Sequence, residues 1–498
     1  MNVNSENLRL VMGFKLKQFR LENGLSLKDL AAKTDLSISY LSEIEKGKKY
    51  PKPEKIFQLA EALKISFDEL VSLQMNKEFD PLPVVFSSPV IKEFPFRMYG
   101  VSPQDLLALI TGDPEKSGAL IRTFLEIGQD YNMRVEHLLL AALRSYQQMH
   151  HNYFEEIENA ADAFTEKHHL PASPPLTKEM LQQLLQNEYQ YEIDEETLSG
   201  YPEVDEIRSI FVCHGNPKLL LQKKLLDSQK AFQMGRELGF QYLKLKERPK
   251  SAVRMIASFE QLLNNFKASY FAGALMMNRS QMKEDIRKFL GSPHWDGNKI
   301  LQLIEKYDVT PEMFLYRLSA LMPRFFNLRE IIFVRFHHEV GTDNFEMTKI
   351  FNLSKLFIPN GIGAKEHYCR RWMGIKLMKQ MGKWHGELPQ KPLVGAQRLK
   401  FSNDEREVFS INLAYPSQLV DNRLISVTIC FVMNEAFKRT VAFWDDPLIP
   451  HVEVNETCER CGFSAEKCSE RAVPGIIFNR EQLELKQEEI LSQILKNL

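Results

Sequence analysis

The sequence predicts a multidomain α+β protein, with an all-helical module at residues 8–74, a helical middle region at 101–325 and an α+β C-terminal region at 326–498. Three observations support this class. Short helical patterns separated by turn residues fill the first region, and longer helical patterns occupy much of the second. Alternating β-branched and aromatic residues dominate the third. Four prolines interrupt the stretch between the first two regions, which predicts a linker at 75–100.

Composition sets limits on the function. A chain of 498 residues with 44% hydrophobic and 26% charged positions has room for about three folded domains. Its formal net charge of -1 means that any contact with nucleic acid must come from a local basic face. The N-terminus shows no signal-peptide pattern, and the most apolar stretch, 424–433, is too short to span a bilayer. We therefore expect a cytoplasmic protein without a membrane partner.

The first module carries the strongest motif in the chain. Ser26 can cap a helix that starts at Leu27, and Ser37 can cap a helix over Ile38–Glu45. Two short helices joined by a tight turn are the geometry that places the second helix in the major groove of DNA. The spacing therefore predicts a DNA-binding helix-turn-helix.

The residues from Leu27 to Gly47 read L-x-x-L-A-x-x-x-x-x-S-x-x-Y-L-S-x-I-E-x-G, and in this pattern the sequence resembles the phage-repressor-like, or XRE, helix-turn-helix family. The resemblance implies that Ile38, Leu41 and Ile44 anchor the recognition helix, and that Arg20 pairs with Glu45. The residues that it assigns to DNA are Ser37, Ser39, Tyr40, Ser42 and Glu43 at base edges and phosphates, and Lys46, Lys48 and Lys49 at phosphates. The alternative is a helical protein-interaction module of the same fold.

The stretch FQMGRELGFQYLKL in the middle region predicts a helix with the frame of a zinc peptidase. That frame, H-E-x-x-H, places two histidines on one helical face, where they bind a metal while the glutamate activates water. Here the frame holds Arg236, Glu237 and Phe240. A guanidinium has no lone pair to donate and a phenyl ring has no donor atom, so no catalytic zinc is expected.

The same stretch and the later Ala268–Met277 resemble, in order, two motifs of the ImmA/IrrE-like metallopeptidases. The resemblance implies an inactive peptidase-type domain. Arg236 has two interpretations, an ion pair with Glu237 or another acid, and an anion contact in a retained ligand pocket with Glu237 and Phe240. The other metal-binding side chains, His337, His338 and Glu339, fall on a predicted strand, where neighbouring residues point to opposite faces.

Three cysteines lie close together near the C-terminus. Cys458 and Cys461 form a C-x-x-C pair, and Cys468 follows after six intervening residues. Soft thiolates at this spacing favour zinc, copper(I) or an iron-sulfur cluster, whereas the alternative is three thiols without metal. A fourth ligand would come from Cys213, Cys369 or Cys430, of which we prefer Cys369.

This tail, C-x-x-C-x6-C followed by S-E-R-A-x-P, resembles the C-terminal domain of the short-chain fatty acyl-CoA regulators, and the order of the three regions agrees with that family. The resemblance implies a non-enzymatic transcriptional regulator that binds operator DNA and senses a small acyl-CoA or related metabolite through its peptidase-like and C-terminal parts. A homodimer is expected because one helix-turn-helix reads only a half-site. It also implies an iron-sulfur cluster at the cysteines, with zinc as the rival metal. Two alternatives remain: a regulatory metallopeptidase of the ImmA/IrrE type, and an iron-sulfur or redox-sensing transcription factor.

Overall fold

The computed structural model describes residues 5–71, 135–171, 173–249, 258–354, 356, 358–359, 366–384, 391–402 and 404–497. The predicted linker at 75–100 lies outside these residues. The chain divides into two compact units, Met1–Ala142 and Leu143–Leu498. Helices fill the start and the middle of the described chain and a large sheet follows them, so the multidomain α+β class is confirmed.

Five helices form the N-terminal module: α1 (Ser5–Glu22), α2 (Leu27–Thr34), α3 (Ile38–Glu45), α4 (Pro53–Leu63) and α5 (Phe67–Val71). The Ser26 hydroxyl accepts a hydrogen bond from the backbone N–H of Asp29 at 3.1 Å, and the Asp29 carboxylate accepts one from the Ser26 N–H at 2.9 Å. Ser37 caps α3 in the same way through the N–H of Tyr40. Both predicted helix starts are confirmed, because each cap satisfies N–H groups that have no partner inside the helix.

Eight helices and a small sheet follow in the next part of the described chain. The helices are α6 (Val135–Met149), α7 (Glu155–Lys167), α8 (Lys178–Tyr189), α9 (Asp227–Tyr242), α10 (Phe259–Met276), α11 (Arg279–Leu290), α12 (Gly297–Tyr307) and α13 (Pro311–Phe325). The strands are β1 (Glu192–Asp194), β2 (Ser209–His214) and β3 (Asn216–Leu221), in the order β1-β3-β2. Residues 143–168 have apolar positions at helical spacing, which predicts one continuous helix, but they belong to two helices, α6 and α7. His151 and Asn152 have φ angles of 49° and 55°, which a right-handed helix does not allow.

Helices α9 and α10 cross at very short range. A Cβ atom on Gly239 would lie 3.0 Å from the carbonyl oxygen of Ala268, and one on Gly235 would lie 3.3 Å from the Cβ of Ala272. The two glycines are four residues apart and therefore share one face of α9. This face lets the two backbones touch, and it leaves the helix that carries the altered peptidase frame almost entirely buried.

The C-terminal part contains a six-stranded sheet: β4 (Ile331–Glu339), β5 (Phe345–Asn352), β6 (Leu393–Phe401), β7 (Glu407–Pro416), β8 (Arg423–Val432) and β9 (His451–Val454). Its order is β5-β4-β8-β7-β6-β9, and every pairing is antiparallel except the parallel pairing of β6 with β9. Three helices accompany it: α14 (Met373–Gly382), α15 (Glu435–Thr440) and α16 (Ile476–Asn497).

The two faces of this sheet differ in what they contact. Ile332, Val334 and Phe336 share a buried cluster with residues of α14. The intervening residues of β4 face α13 instead, where the rings of Phe333 and Tyr316 lie 5.3 Å apart. The sheet is therefore covered by helices on both faces at β4.

The sequence pattern of residues 440–445 predicts a strand, and this prediction is wrong. Residues 440–445 begin at the end of α15 and continue as turns, yet Phe443 is buried against Phe409 and Phe289, so its apolar character reflects core contacts outside any strand. The sequence patterns did not single out β6, β9 or α14. Within the described residues, no helix combines the length and the apolar character needed to cross a membrane.

Candidate functional site

Helix α3 presents the predicted DNA-reading residues on the surface of the N-terminal module. Leu41 and Ile44 are fully buried, as expected for residues that anchor α3. The prediction that Ile38 is a third anchor is wrong, because Ile38 is 48% exposed. Ile38 stands at the first helical position beside the cap, where its side chain projects outward next to exposed Ser39. The outer face of α3 thus contains one apolar residue among its polar ones.

A buried ion pair fixes α3 against α1. The Arg20 Nε donates to one carboxylate oxygen of Glu45 at 2.6 Å, and Nη2 donates to the other at 3.1 Å. Nη1 of the same guanidinium donates to the carbonyl of Leu25 at 2.7 Å, so the turn between α1 and α2 is held as well. The predicted pairing is confirmed, and its two-point geometry sets the angle at which α3 is presented.

Basic side chains surround the exposed end of α3. Lys46 and Lys48 are exposed, and Lys49 forms a 2.7 Å ion pair with Glu43 while 53% of its side chain remains exposed. Lys55 of α4 lies 4.2 Å from the centre of the Tyr40 ring, a contact that sequence reasoning missed. The sequence offered one signal for this contact: Lys55 lies at the start of the helix that follows Lys46, Lys48 and Lys49. The lysines give this face the local positive charge that phosphate contacts need.

In the peptidase-like part, Glu237 is completely buried and two arginines approach it. Nη2 of Arg248 donates to Oε2 of Glu237, and Nη2 of Arg236 lies 3.7 Å from Oε1. The hydroxyl of Tyr191 donates to Oε2 at 3.2 Å. Glu237 therefore meets guanidinium cations supplied by the chain itself, in a frame where a peptidase would hold a metal.

The guanidinium of Arg248 lies between two aromatic rings. Its carbon is 3.5 Å from the ring centre of Phe211 and 4.2 Å from that of Phe240, the residue at the second histidine position of the frame. Stacking on two ring faces stabilises a cation that is largely removed from water. Phe240 thus holds a cation with its ring face, although it has no atom with which to ligate one.

Arg236, at the first histidine position, is 6% exposed and donates to the Ser209 hydroxyl at 2.9 Å. Burial lowers its pKa, and the nearby Glu237 opposes that change. These contacts support the ion-pair interpretation. Within the described residues, Nε of Arg236, Nε of Arg248 and Oε1 of Glu237 have no hydrogen-bond partner. A ligand contact by Arg236, Glu237 and Phe240 stays a prediction.

The histidines of β4 point apart, as expected. His338 is buried and its ring stacks on Phe345 at 4.1 Å, whereas His337 faces the charged groups on the other side of the sheet. Burial and the positive charges of Arg335 and Arg423 lower the pKa of His337 to about 4. Neighbouring strand positions therefore give these two rings different surroundings.

The four cysteines chosen as metal ligands are all buried and lie near one another. A bridge between Tyr368 and Thr457 brings Cys369 beside Cys458, whose N–H donates to the carbonyl of His367. Burial, together with smaller contributions from nearby Cys458 and Cys468, raises the pKa of Cys369 to about 11. Of the other two cysteines, Cys213 is exposed and Cys430 lies in the sheet core.

These cysteines do not form a ready metal centre. Across the described residues, no three His, Cys, Asp or Glu side chains come close enough to share an ion. The donor types nonetheless suit zinc or an iron-sulfur cluster, because both are bound by cysteine thiolates. Metal binding at Cys369, Cys458, Cys461 and Cys468 stays a prediction.

A narrow apolar cavity lies between α14 and the sheet, with about 20 Å³ open to the centres of water-sized molecules. Its apolar wall includes Ile332, Val334, Phe336, Trp372, Leu399 and Val408. One side is polar: Thr428 donates to the Asn412 side chain at 2.8 Å, and Asn412 donates to Ser410 at 3.0 Å. Such a pocket, apolar with a few ordered polar groups, is typical of small-molecule sites.

Two family models match this chain. Residues 16–70 match the helix-turn-helix family, and residues 197–319 match the IrrE N-terminal-like domain. An uncharacterized HTH-type transcriptional regulator, y4dJ of Sinorhizobium fredii, is 33% identical over 66 residues, which are 13% of this chain and 86% of the relative. HTH-type transcriptional regulator DdrOP3 of Deinococcus deserti is 37% identical over 57 residues, 11% of this chain and 44% of that protein.

Among solved structures, a Mycobacterium tuberculosis transcriptional regulator is similar at 17% identity with a TM-score of 0.46, over 66% of this chain and 93% of that one.

The helix-turn-helix geometry and these sequence matches define a DNA-binding transcriptional regulator. The chain belongs to the XRE family of helix-turn-helix regulators and contains an IrrE N-terminal-like domain in its middle region.

Proposed function

We propose that this regulator senses a small acyl-CoA or related carboxylic metabolite, and that its peptidase-like part is not catalytic. The observation that carries the proposal is the cavity between α14 and the sheet, which pairs a long apolar wall with the polar row Thr428, Asn412 and Ser410. An acyl chain would lie on the apolar wall, and the polar row would lie beside its carbonyl end. The narrow shape favours a short chain.

The surroundings of Glu237 support a non-catalytic role for the peptidase-like part. In a zinc peptidase, the glutamate that acts as general base needs access to a water molecule and to the metal ion that activates this water. Glu237 has no exposed surface, and it is engaged by Arg248 and Tyr191. A metal ion at this position would have to displace a guanidinium that is stacked between two rings.

The regulator would act as a homodimer, because one helix-turn-helix reads only a half-site. A metabolite that binds one arrangement of the dimer tenfold more tightly than the other changes operator affinity by up to about 1.4 kcal/mol. A modest preference of the ligand is therefore sufficient for regulation.

The buried cysteines are proposed to hold an iron-sulfur cluster, with zinc as the rival metal. Their support is the proximity of Cys369 to Cys458 and Cys468. Anaerobic purification followed by iron, sulfide and zinc analysis tests this. Iron with sulfide, and DNA binding that changes on oxidation, would favour a redox-sensing function over metabolite sensing.

The central test is binding of short-chain acyl-CoA to the full-length protein by calorimetry, together with its effect on operator DNA binding. Thr428→Val removes the donor at the polar side of the cavity, and we expect it to weaken acyl-CoA binding about tenfold. Thr342→Val, at an exposed turn, is the matched control and should bind as the wild type does. If acyl-CoA binds equally to both variants, the cavity is not the sensor site, and Phe240→Leu then tests the second candidate pocket.

The rival function, a regulatory metallopeptidase, makes a different prediction. It requires one zinc ion per chain at α9 and cleavage of a partner protein that is lost in Glu237→Gln. Zinc bound at α9 in the wild type, together with cleavage that is lost in Glu237→Gln, would replace the proposed function.

A further inference from the structure

A group of charged side chains lies between α13 and the sheet, on the face away from the cavity. Glu312, in the first turn of α13, accepts hydrogen bonds from Arg335 Nη1 of β4 at 3.0 Å with both carboxylate oxygens. Lys349 of β5 lies 3.4 Å from one of these oxygens, and Arg208 lies 3.9 Å from the other. Three cations therefore surround one carboxylate.

The nearby groups do not balance this charge. Arg423 is itself a cation, and it is engaged by Glu206 at 2.8 Å and by Glu339 at 3.5 Å. His337 adds no negative charge. Tyr415 and Tyr316 contribute neutral hydroxyls because burial raises the pKa of both, and that of Tyr316 to about 12. With Glu312, Glu206 and Glu339 counted against the four cations, the site keeps an excess of about one positive charge.

Two of the three cations retain unused donors. A guanidinium has five N–H donors and an ammonium has three. Arg208 approaches Glu312 only at 3.9 Å, which is beyond hydrogen-bonding distance, and Lys349 makes one long contact of 3.4 Å while it lies 3.7 Å from the ring centre of Tyr316. Their side chains are 37% and 35% exposed, so both can reach a ligand that arrives from solvent.

We propose that Arg208 and Lys349 bind a phosphoryl group of a small phosphorylated molecule. A guanidinium matches two phosphate oxygens at once and an ammonium adds a point charge, while Arg335 stays committed to Glu312 and sets the base of the site. The remaining positive charge favours an anionic ligand such as a phosphoryl group. Because Arg208 immediately precedes β2 and Lys349 comes from β5, the bound group joins the IrrE-like part to the C-terminal sheet.

This site does not depend on the acyl-CoA proposal. Arg335 and Lys349 lie on the sheet face that contacts α13, whereas the cavity opens on the other face, at Val334 and Phe336. If pyrophosphate does not bind at Arg208 and Lys349, the Thr428→Val test of the cavity is unaffected. If acyl-CoA does not bind in the cavity, the pyrophosphate test is unaffected.

The experiment is titration of the full-length protein with pyrophosphate, by calorimetry and by thermal unfolding, at constant ionic strength. Arg208→Gln is the main variant because Arg208 makes no hydrogen bond to Glu312, so its loss should not unfold the protein. Lys349→Gln is the second variant, and Lys438→Gln, whose side chain is 37% exposed elsewhere, is the matched control. We expect at least a tenfold loss of pyrophosphate affinity in the first two variants and no change in the control.

Three results would overturn the proposal. The first is the absence of pyrophosphate binding in the wild type, and the second is unchanged affinity in Arg208→Gln. The third is binding of citrate in preference to pyrophosphate, which would assign the site to carboxylates.

Discussion

Arg20 and Glu45 in the DNA-binding module pair one to one, whereas Glu237 in the peptidase-like part faces two arginines. In the first pair both carboxylate oxygens accept a hydrogen bond from the guanidinium. In the second group Oε1 of Glu237 and the Nε atoms of both arginines lack hydrogen-bond partners among the described residues. In the first arrangement, both oxygens of the carboxylate have hydrogen-bond partners. In the second, several polar atoms lack them, at positions where a zinc peptidase would hold its catalytic residues.

The difference shows that burial of a charge does not define its role. A satisfied pair orients two helices at little cost, whereas an excess of buried cations depends on a single acid for its stability. The predictions below test this contrast, beginning with the largest expected effect.

Glu237→Gln should destabilise the protein by about 3–5 kcal/mol, because it leaves Arg236 and Arg248 buried without a counter-charge. Urea unfolding of the second compact unit, followed by its aromatic fluorescence, measures this. A loss below about 1 kcal/mol, together with loss of a proteolytic activity, would instead indicate a catalytic glutamate.

Glu45→Gln should cost about 2 kcal/mol, less than the first change, since only Arg20 loses its partner and that guanidinium keeps the carbonyl of Leu25. Hydrogen exchange over residues 5–71 should rise and operator binding should weaken. If exchange rises instead throughout the second unit, the pair does not act locally.

His337 should make the protein less stable in mild acid. Its pKa is about 4 in the folded state against 6.5 when unperturbed, so the folded form binds fewer protons than the unfolded form between these values. The stability is complete above pH 6.5 and is lost as the pH falls towards 4. Partial exposure reduces the effect to about 2 kcal/mol. His337→Gln should flatten this part of the stability profile, whereas a profile that keeps its slope would assign the loss to other groups.

Lys48→Gln should have the smallest effect, a loss of operator affinity of about threefold to tenfold and a decrease of about one in the salt dependence of binding. Lys48→Arg keeps the charge and should bind like the wild type. Equal losses in both variants would mean that Lys48 contacts something other than a phosphate.

Local sequence rules predicted the parts of this molecule that depend on near neighbours. The caps at Ser26 and Ser37 follow from a hydroxyl three residues before an N–H group, and the pairing of Arg20 with Glu45 followed from the motif. The same rules misplaced Ile38, because helical spacing does not tell which residue of the first turn the neighbouring helices cover.

Contacts between distant segments were beyond the reach of those rules. Arg248 lies past the end of α9, and nothing in its local sequence shows that it returns between two rings to reach Glu237. The charged group at Glu312 likewise joins residues from a helix, the six-stranded sheet and the segment just before β2. Such sites depend on tertiary packing, which no window of sequence contains.

The glycine face of α9 has a consequence for how proteins of this kind are classified. Gly239 is required by the short distance between two helix backbones, a demand that is independent of any metal. A likeness centred on E-L-G can therefore be maintained by the contact between the helices whether or not hydrolysis is retained. It reports shared architecture, and the chemistry has to be determined from the positions on either side.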